Sequence, residues 1–327
     1  MIILSIDGGA SRTRGVLFTE GGEVRLMLET EATSLSRADA DTPRLLSSFI
    51  EELASQAGLA LEQIELVNVG VAGVSGEEPR ERLFKELDRL GVADRAIITS
   101  DVESAYEAFW GEAPGVLVCV GTGAIGWARD ADGSTHRASG RGPQLGGDPG
   151  SGFWLGKQAM VRLITSEGSQ DPQLEDFAQR IAAAANAETL EEAARFIGEA
   201  PDMIAATASL GGPVCELAEE ANDVALAILQ EGTQHLGDEL LALVDAAGLR
   251  EDSMGIGMNG GIIAHNPIFR KLLAEAMSYN IPRIEWLPME LDPVFGAGLI
   301  AARLNGIVVD LDALKQNWSR HHLQSAG

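Results

Sequence analysis

Residues 1–20 read MIILSIDGGASRTRGVLFTE. The first seven, MIILSID, are an apolar run that stops at Asp7, and TRGVLFTE (13–20) has the composition of a second strand. Between them lies Gly8-Gly9-Ala10-Ser11-Arg12. A turn of glycines and hydroxyl residues offers backbone N–H groups and Ser/Thr oxygens to a phosphate, here from Gly8, Gly9, Ser11 and Thr13. A carboxylate at the strand's end, Asp7, can hold Mg²⁺ through water. The same residues also suit an ordinary hairpin turn. Glu20-Gly21-Gly22-Glu23 then turns the chain into a third strand, VRLMLET (24–30).

Working outward, Thr42-Pro43 opens a helix with Leu45, Leu46, Phe49, Ile50 and Leu53 at helical spacing. Residues 64–74 read as a buried strand entering a glycine loop, 78–90 as an amphipathic helix, 96–101 as a strand and 102–110 as a helix stopped by Gly111. The order β-β-β-α-β-α-β-α predicts an α/β domain with a mixed sheet. A second unit opens near Pro114-Gly115 with VLVCV (116–120), the turn Gly121-Thr122-Gly123 and AIGWARD (124–130). This repeats the strand-turn-strand opening and suggests duplicated halves. A glycine-dense loop (139–152), helices over 153–248, a strand with a glycine loop (254–261), helix 267–278, strand 283–287, helix 293–304 and a last helix follow. The expected division is residues 1–113 against 114–307, with the C-terminal helix (308–327) packing back on the first lobe and 153–248 as a helical insert.

Composition limits the function. Asp and Glu number 49 against 24 Lys and Arg, a formal net charge of −25. Phosphate backbones and anionic bilayers need basic clusters, so nucleic acid and membrane surfaces are not expected partners. Glycine is 38 of 327 residues, about 12% against a usual ~7%. The N-terminus lacks a basic n-region, no run approaches a membrane span, and two cysteines make no disulfide framework. The default expectation is a soluble cytoplasmic protein.

Further candidates sit at strand ends. Asp101 ends one strand and starts a helix, so it is either an N-cap or a general base at the carboxyl edge of the sheet. Gly121-Thr122-Gly123-Ala124-Ile125-Gly126 spells GxGxxG, but Ile125-Gly126-Trp127-Ala128 continues as strand and no acidic residue follows at the required distance. A second phosphate-holding hairpin, with Thr122 as donor, fits better. Gly260-Gly261 lies between a strand and a helix expected near Asn266-Pro267, where backbone can lie against a flat ligand or make a tight turn. Asp148 is either a turn residue or a ligand for hydroxyl groups. Cys119 alternates with valines and reads as a core thiol.

Six of these segments, in order, resemble the N-acetylglucosamine kinase and BadF/BadG-type ATPase family of the actin/hsp70/hexokinase superfamily. They are Ser5–Thr13 (first phosphate motif), Gly70-Val71-Ala72-Gly73, Ser100-Asp101, Val120–Gly123 (second phosphate motif), Gly260-Gly261 with Asn266 (adenosine motif) and Phe295-Gly296-Ala297-Gly298. The resemblance implies two ribonuclease H-like lobes with a central ATP cleft, ATP and Mg²⁺ as cofactors, and homodimers among similar kinases. It implies phosphoryl transfer to the 6-hydroxyl of N-acetylglucosamine or a close amino sugar. Asp101 would be the base, Asp7 the metal-positioning group, Gly8 to Thr13 and Gly121 to Gly123 the phosphate cradle, and Gly260-Gly261 the adenosine rest. Ser34, Gly142 and Asp148 would meet the sugar. The sugar loop departs from the family pattern at Arg141, which stands for Trp, and at Pro149, which stands for Glu. Glucosamine kinase, a broader hexokinase and an ATPase activator of an acyl-CoA dehydratase are the alternatives. The activator needs cluster-ligating thiolates, which Cys119 and Cys215 do not pair to supply.

Overall fold

The computed structural model describes residues 1–35, 41–74, 76–142, 148–165 and 169–325. Two compact units divide the chain: Met1–Glu112 with Met289–Gly327, and Ala113–Pro288. The first begins with β1 (Ile2–Gly8), β2 (Thr13–Thr19), β3 (Val24–Thr30), α1 (Thr42–Gln56), β4 (Leu66–Val71), α2 (Glu77–Arg89), β5 (Ala96–Thr99) and α3 (Asp101–Trp110). The second contains β6 (Gly115–Val120), β7 (Ala124–Arg129), β8 (Thr135–Ser139) and helices α4 (Gly152–Thr165), α5 (Pro172–Ala184), α6 (Leu190–Glu199), α7 (Met203–Ala208), α8 (Gly211–Glu219) and α9 (Asp223–Ala246). It closes with β9 (Ser253–Asn259), α10 (Gly261–His265), α11 (Pro267–Met277) and β10 (Arg283–Pro288). The chain then returns to the first unit through α12 (Pro293–Leu304) and α13 (Leu311–Ser325).

The sheets run β3-β2-β1-β4-β5 and β10-β9-β6-β7-β8. In each, an antiparallel meander of three strands continues through parallel pairs from its first strand: β1 with β4 and β4 with β5, β6 with β9 and β9 with β10. The two sheets therefore share one topology, and the duplication suggested by two small-residue turns is a duplication of the whole five-stranded plan. The third strand of the second copy, β8, was not expected. Its sequence Thr-His-Arg-Ala-Ser is polar and lies on the sheet edge, so it carries no apolar run.

The second boundary falls at 288, not at the expected 307. Small residues draw α12 into the first unit. A Cβ on Gly296 would lie 1.8 Å from the Ser104 carbonyl oxygen of α3, and one on Gly298 would lie 2.7 Å from the Phe18 ring. At Gly296 backbone thus rests on backbone, at Gly298 backbone rests on the Phe18 ring, and Phe295 packs beside Phe18 edge-to-face at 5.6 Å. Leu314 and Trp318 of α13 join the same cluster.

Candidate functional site

Alternation along β1 sets the site. Leu4 and Ile6 face one way, into a cluster with Leu46, Phe49, Ile50 and Leu53 of α1. Ile3 and Ser5 face the other, toward α12. That second face is polar and small on the neighbouring strand too, with Asn68 and Gly70 on β4. Ser5 Oγ donates to the Val294 carbonyl and accepts from the Gly298 N–H at 2.6 Å. Asn68 Nδ2 donates to the Ala297 carbonyl at 2.7 Å, and Thr99 Oγ1 donates to Asn68 Oδ1 at 3.1 Å. These buried bonds fix α12 on the sheet. Asp7 is the next residue of that face, at the carboxyl end of β1 and paired with Gly70.

Arg14 stands directly across the hairpin from Asp7. Its Nη2 donates to Asp7 Oδ2 at 3.0 Å, and its Nη1 donates to Asp292 Oδ2. Asp292 is also the N-cap of α12, its Oδ1 accepting the Val294 N–H at 3.0 Å. One guanidinium thus joins the β1–β2 hairpin to the start of α12.

Asp101 is not the helix cap. Ser100 is: its Oγ accepts the Glu103 N–H at 3.2 Å, and Glu103 Oε2 accepts the Ser100 N–H at 2.8 Å in a capping box. Asp101 is the first helical residue, and its Oδ1 accepts the Val102 N–H at 3.0 Å. Burial and then the charge of Asp7 push its carboxyl up to about 6. Burial also raises Asp7, despite the opposing pull of Arg14. Two buried carboxyls, Asp7 and Asp101, both raised by burial, with Asp292 sharing the single Arg14 guanidinium with Asp7, form a site short of positive charge. That charge deficit fits a divalent cation, with Asp7 as the residue that would hold it through one or two ligand positions and leave the rest to phosphate and water.

The turn after Asp7 is tight, the Gly9 N–H donating to the Arg12 carbonyl at 3.0 Å. Gly8 is buried and Ser11 is exposed on the turn. Thr13 does not face outward. Its hydroxyl is buried and shares a 2.6 Å hydrogen bond with Thr33. Ser34 follows, buried, its carbonyl accepting from Thr42 Oγ1 at 3.2 Å, and the Leu35 N–H donates to the Ala72 carbonyl at 2.9 Å. Segment 33–35 therefore ties the turn between β1 and β2 to the Gly70–Gly73 stretch.

In the second unit, β6 turns directly into β7, with Val120 paired to Ala124 and the Gly121 N–H donating to the Gly123 carbonyl at 2.9 Å. The Gly121 and Thr122 carbonyls accept from the Gly152 and Phe153 N–H groups that open α4. Gly260 has φ +96°, and a Cβ there would lie 2.5 Å from the Val120 carbonyl oxygen. Gly261 has open space at its Cβ position and is exposed. The Gly121 turn and the Gly260-Gly261 loop are thus adjacent backbone surfaces, which the sequence had only as separate motifs. The helix after Gly260 begins at once as α10, not near Asn266; Asn266 Nδ2 donates to the Ile262 carbonyl and separates α10 from α11.

Asp148 is buried with φ +44°. Its Oδ1 accepts the Arg141 N–H at 2.8 Å and the Gly142 N–H at 3.2 Å. It braces the loop's backbone, with Gly142 half-buried and Arg141 exposed. Residues 143–147 of the expected sugar loop lie outside the described residues. Cys215 is buried and its thiol is pushed up to about 12, an inert core position. Cys119 is half-buried, its sulfur accepting from Asn259 Nδ2 at 3.7 Å. No helix among the described residues is long and apolar enough to cross a membrane.

Sequence reasoning missed Arg14, Thr33 and Asp292. Hairpin register could have found Arg14, since a turn drawn at 9–12 puts it opposite Asp7. Asp292 carries the Asp-Pro signature of a helix start, but nothing local ties it to Asp7.

The family model for the BadF/BadG/BcrA/BcrD ATPase family matches residues 4–301. An N-acetylmuramic acid/N-acetylglucosamine kinase of Clostridium acetobutylicum is 24% identical over 306 residues, covering 91% of this chain and 97% of its own length. An N-acetyl-D-glucosamine kinase of Dictyostelium discoideum is 22% identical over 319 residues, covering 92% and 97%. Among solved structures, a provisionally assigned N-acetylglucosamine kinase of Chromobacterium violaceum shares the fold with a TM-score of 0.70 at 24% identity, covering 92% of this chain and 98% of that one. A ROK family glucokinase of Streptomyces griseus, in complex with glucose and AMPPNP, shares it at 0.61 and 13% identity, covering 93% and 99%. With its two duplicated mixed sheets and a family match over nearly its whole length, the chain belongs to the BadF/BadG/BcrA/BcrD ATPase family.

Proposed function

We propose that this protein is an ATP-dependent kinase of amino sugars, transferring the γ-phosphoryl group to the 6-hydroxyl of N-acetylglucosamine. The observation that carries the reading is Asp101: freed from capping by Ser100, it is a buried carboxyl at the start of α3, pushed up to about 6 by burial and then by the charge of Asp7. A general base works best with a pKa close to working pH. The names of the two curated kinase relatives support the substrate class.

In this reading Asp101 accepts the hydroxyl proton as the sugar oxygen attacks phosphorus. Transfer through a loose transition state asks mainly for placement and charge stabilisation. Mg²⁺, when bound, would neutralise phosphate charge. Asp7 would hold it, and the turn at Gly8, Gly9 and Ser11 would position the phosphates. Thr13 braces that turn from behind through Thr33. The Gly121-Thr122-Gly123 turn would supply further phosphate contacts and Gly260-Gly261 the adenosine rest. Asp148 would shape the sugar loop through the Arg141 and Gly142 N–H groups, with Ser34 on the sugar side of the first unit. Arg141, exposed where the family pattern has Trp, favours adding an acidic amino sugar to the panel.

A coupled ADP-release assay across a sugar panel tests this. Release that depends on an amino sugar supports the kinase, release without sugar indicates an ATPase activator, and no release indicates a sensor. The adenosine assignment has its own test. Gly261→Ala should leave the unfolding temperature unchanged and raise the KM for ATP about tenfold, a loss of ~1.4 kcal/mol. Gly260→Ala should instead destabilise the second unit, because its φ and the Val120 carbonyl exclude a side chain. Steady-state kinetics with a thermal melt separates the two, and equal ATP affinity for wild type and Gly261→Ala would remove Gly261 from the site.

A further inference from the structure

Arg14 was assigned no role by its sequence, yet it is the best-buried cation of the first unit's site, with 12% of its side chain exposed. Its carboxylate partners Asp7 and Asp292 keep 15% and 10%. Such a group is held in place by geometry, because each charge lost from water must be repaid by its partners. The fork is divided: Nη2 serves Asp7, Nη1 serves Asp292, and Nε is buried without a hydrogen-bond partner among the described residues. An arginine kept only for stability would be expected to satisfy all three nitrogens. Here the side chain gives up one donor to reach two carboxylates on different elements. Arg14 is also the one hydrogen-bonding partner of the Asp7 carboxylate among the described residues, and it takes only Oδ2. The other end of the bridge is anchored, because Asp292 caps α12 and α12 is pinned to β1 through Ser5.

We propose that Arg14 is a positioning residue of the phosphoryl-transfer site, clamping Asp7 from the anchored Asp292 so that one Asp7 oxygen stays presented to the cation bound with the nucleotide. The inference rests on the kinase reading for the identity of that cation–nucleotide complex, but its binding readout does not require sugar turnover. Lysine cannot replace the clamp, since a single ammonium does not span two carboxylates as a planar fork does.

The test uses the full chain with Arg14→Met, Arg14→Lys and Asp292→Asn. Asparagine keeps the α12 cap while weakening the hold on Arg14. Calorimetric titration with a non-hydrolysable ATP analogue, with Mg²⁺ and separately in EDTA, reads the clamp directly. Arg14→Met is expected to weaken Mg²⁺-dependent binding about tenfold, ~1.4 kcal/mol, to leave binding in EDTA within twofold, and to lower kcat while sparing the KM for sugar. Arg14→Lys should recover little, and Asp292→Asn should fall between it and wild type. Should Arg14→Met fail to fold, the other two decide. Mg²⁺-dependent binding unchanged in the folded variants overturns the proposal, as does an equal loss with and without Mg²⁺, which would mark general damage to the turn. A wild-type protein that binds the Mg²⁺–nucleotide complex but phosphorylates no sugar defeats the kinase reading and leaves the clamp standing.

Discussion

Asp101→Asn is expected to cut kcat roughly 10²-fold or more and, in the same protein, to raise the unfolding temperature at pH 8. Both effects come from one carboxyl. Its ordinary value of 3.8 rises to about 6 in the folded chain, through burial and then the Asp7 charge. A raised folded-state pKa means the fold prefers the protonated form. That preference is fully present below pH 3.8 and is lost as pH rises through about 6. Above that, the ionised carboxylate costs about 2–3 kcal/mol, at 1.36 kcal/mol for each pH unit. Asparagine keeps an oxygen for the Val102 N–H and carries no charge, so the cost disappears with the base. Wild-type kcat/KM should fall with one proton as pH drops through about 6, while the melting temperatures of wild type and variant draw together as pH falls from about 6 toward 3.8. A variant that keeps near-wild-type turnover, or one that melts lower than wild type at pH 8, would remove Asp101 from the role of buried base.

The second large effect concerns Gly296. In an exposed helix, alanine would be the better residue by about 1 kcal/mol. In α12 a Cβ would meet the Ser104 oxygen at 1.8 Å, its carbonyl carbon at 2.6 Å and the Ala108 nitrogen at 3.1 Å. All three are α3 backbone, which cannot rotate away as a side chain could. Gly296→Ala must therefore part α12 from α3, at a cost of about 3 kcal/mol, lowering the melting temperature of that unit by roughly 6–12 °C. The same movement would displace Asp292 and Asp101, which start these two helices, so turnover should fall in the protein that remains folded. Circular dichroism melts and kinetics below the transition check both. An unchanged melting temperature would show that the two helices tolerate a wider spacing.

These two residues also show what was legible in the sequence. Asp101 was visible because a carboxylate at the end of a strand is a local signal. Its competing reading as an N-cap turned on Ser100 and Glu103, adjacent residues whose capping-box spacing was present but unread. Gly296 was quoted as a motif, but its reason, contact with α3 nearly two hundred residues earlier, is not local. The same holds for the boundary at 288 and for the Arg14–Asp292 pair. The glycine excess is divided accordingly. Gly8, Gly9, Gly121 and Gly261 belong to the turns and loops proposed to meet ligand, while Gly156, Gly211 and Gly296 let backbones pack and Gly70 and Gly298 leave room for the Ser104 and Phe18 side chains. The acidic surplus did not foretell the sites, since the turns proposed to hold phosphate would use backbone N–H groups.

The most direct measurement is product analysis after incubation with ATP, Mg²⁺ and N-acetylglucosamine, with ADP counted and the sugar phosphate located by phosphorus–proton correlation NMR. Sugar phosphorylation predicts equal amounts of ADP and sugar monophosphate, the phosphate on the 6-oxygen, and both products formed by Asp101→Asn at a rate lower by roughly 10²-fold or more. ADP formed at the same rate with and without sugar, or no phosphorylated sugar at all, would contradict it.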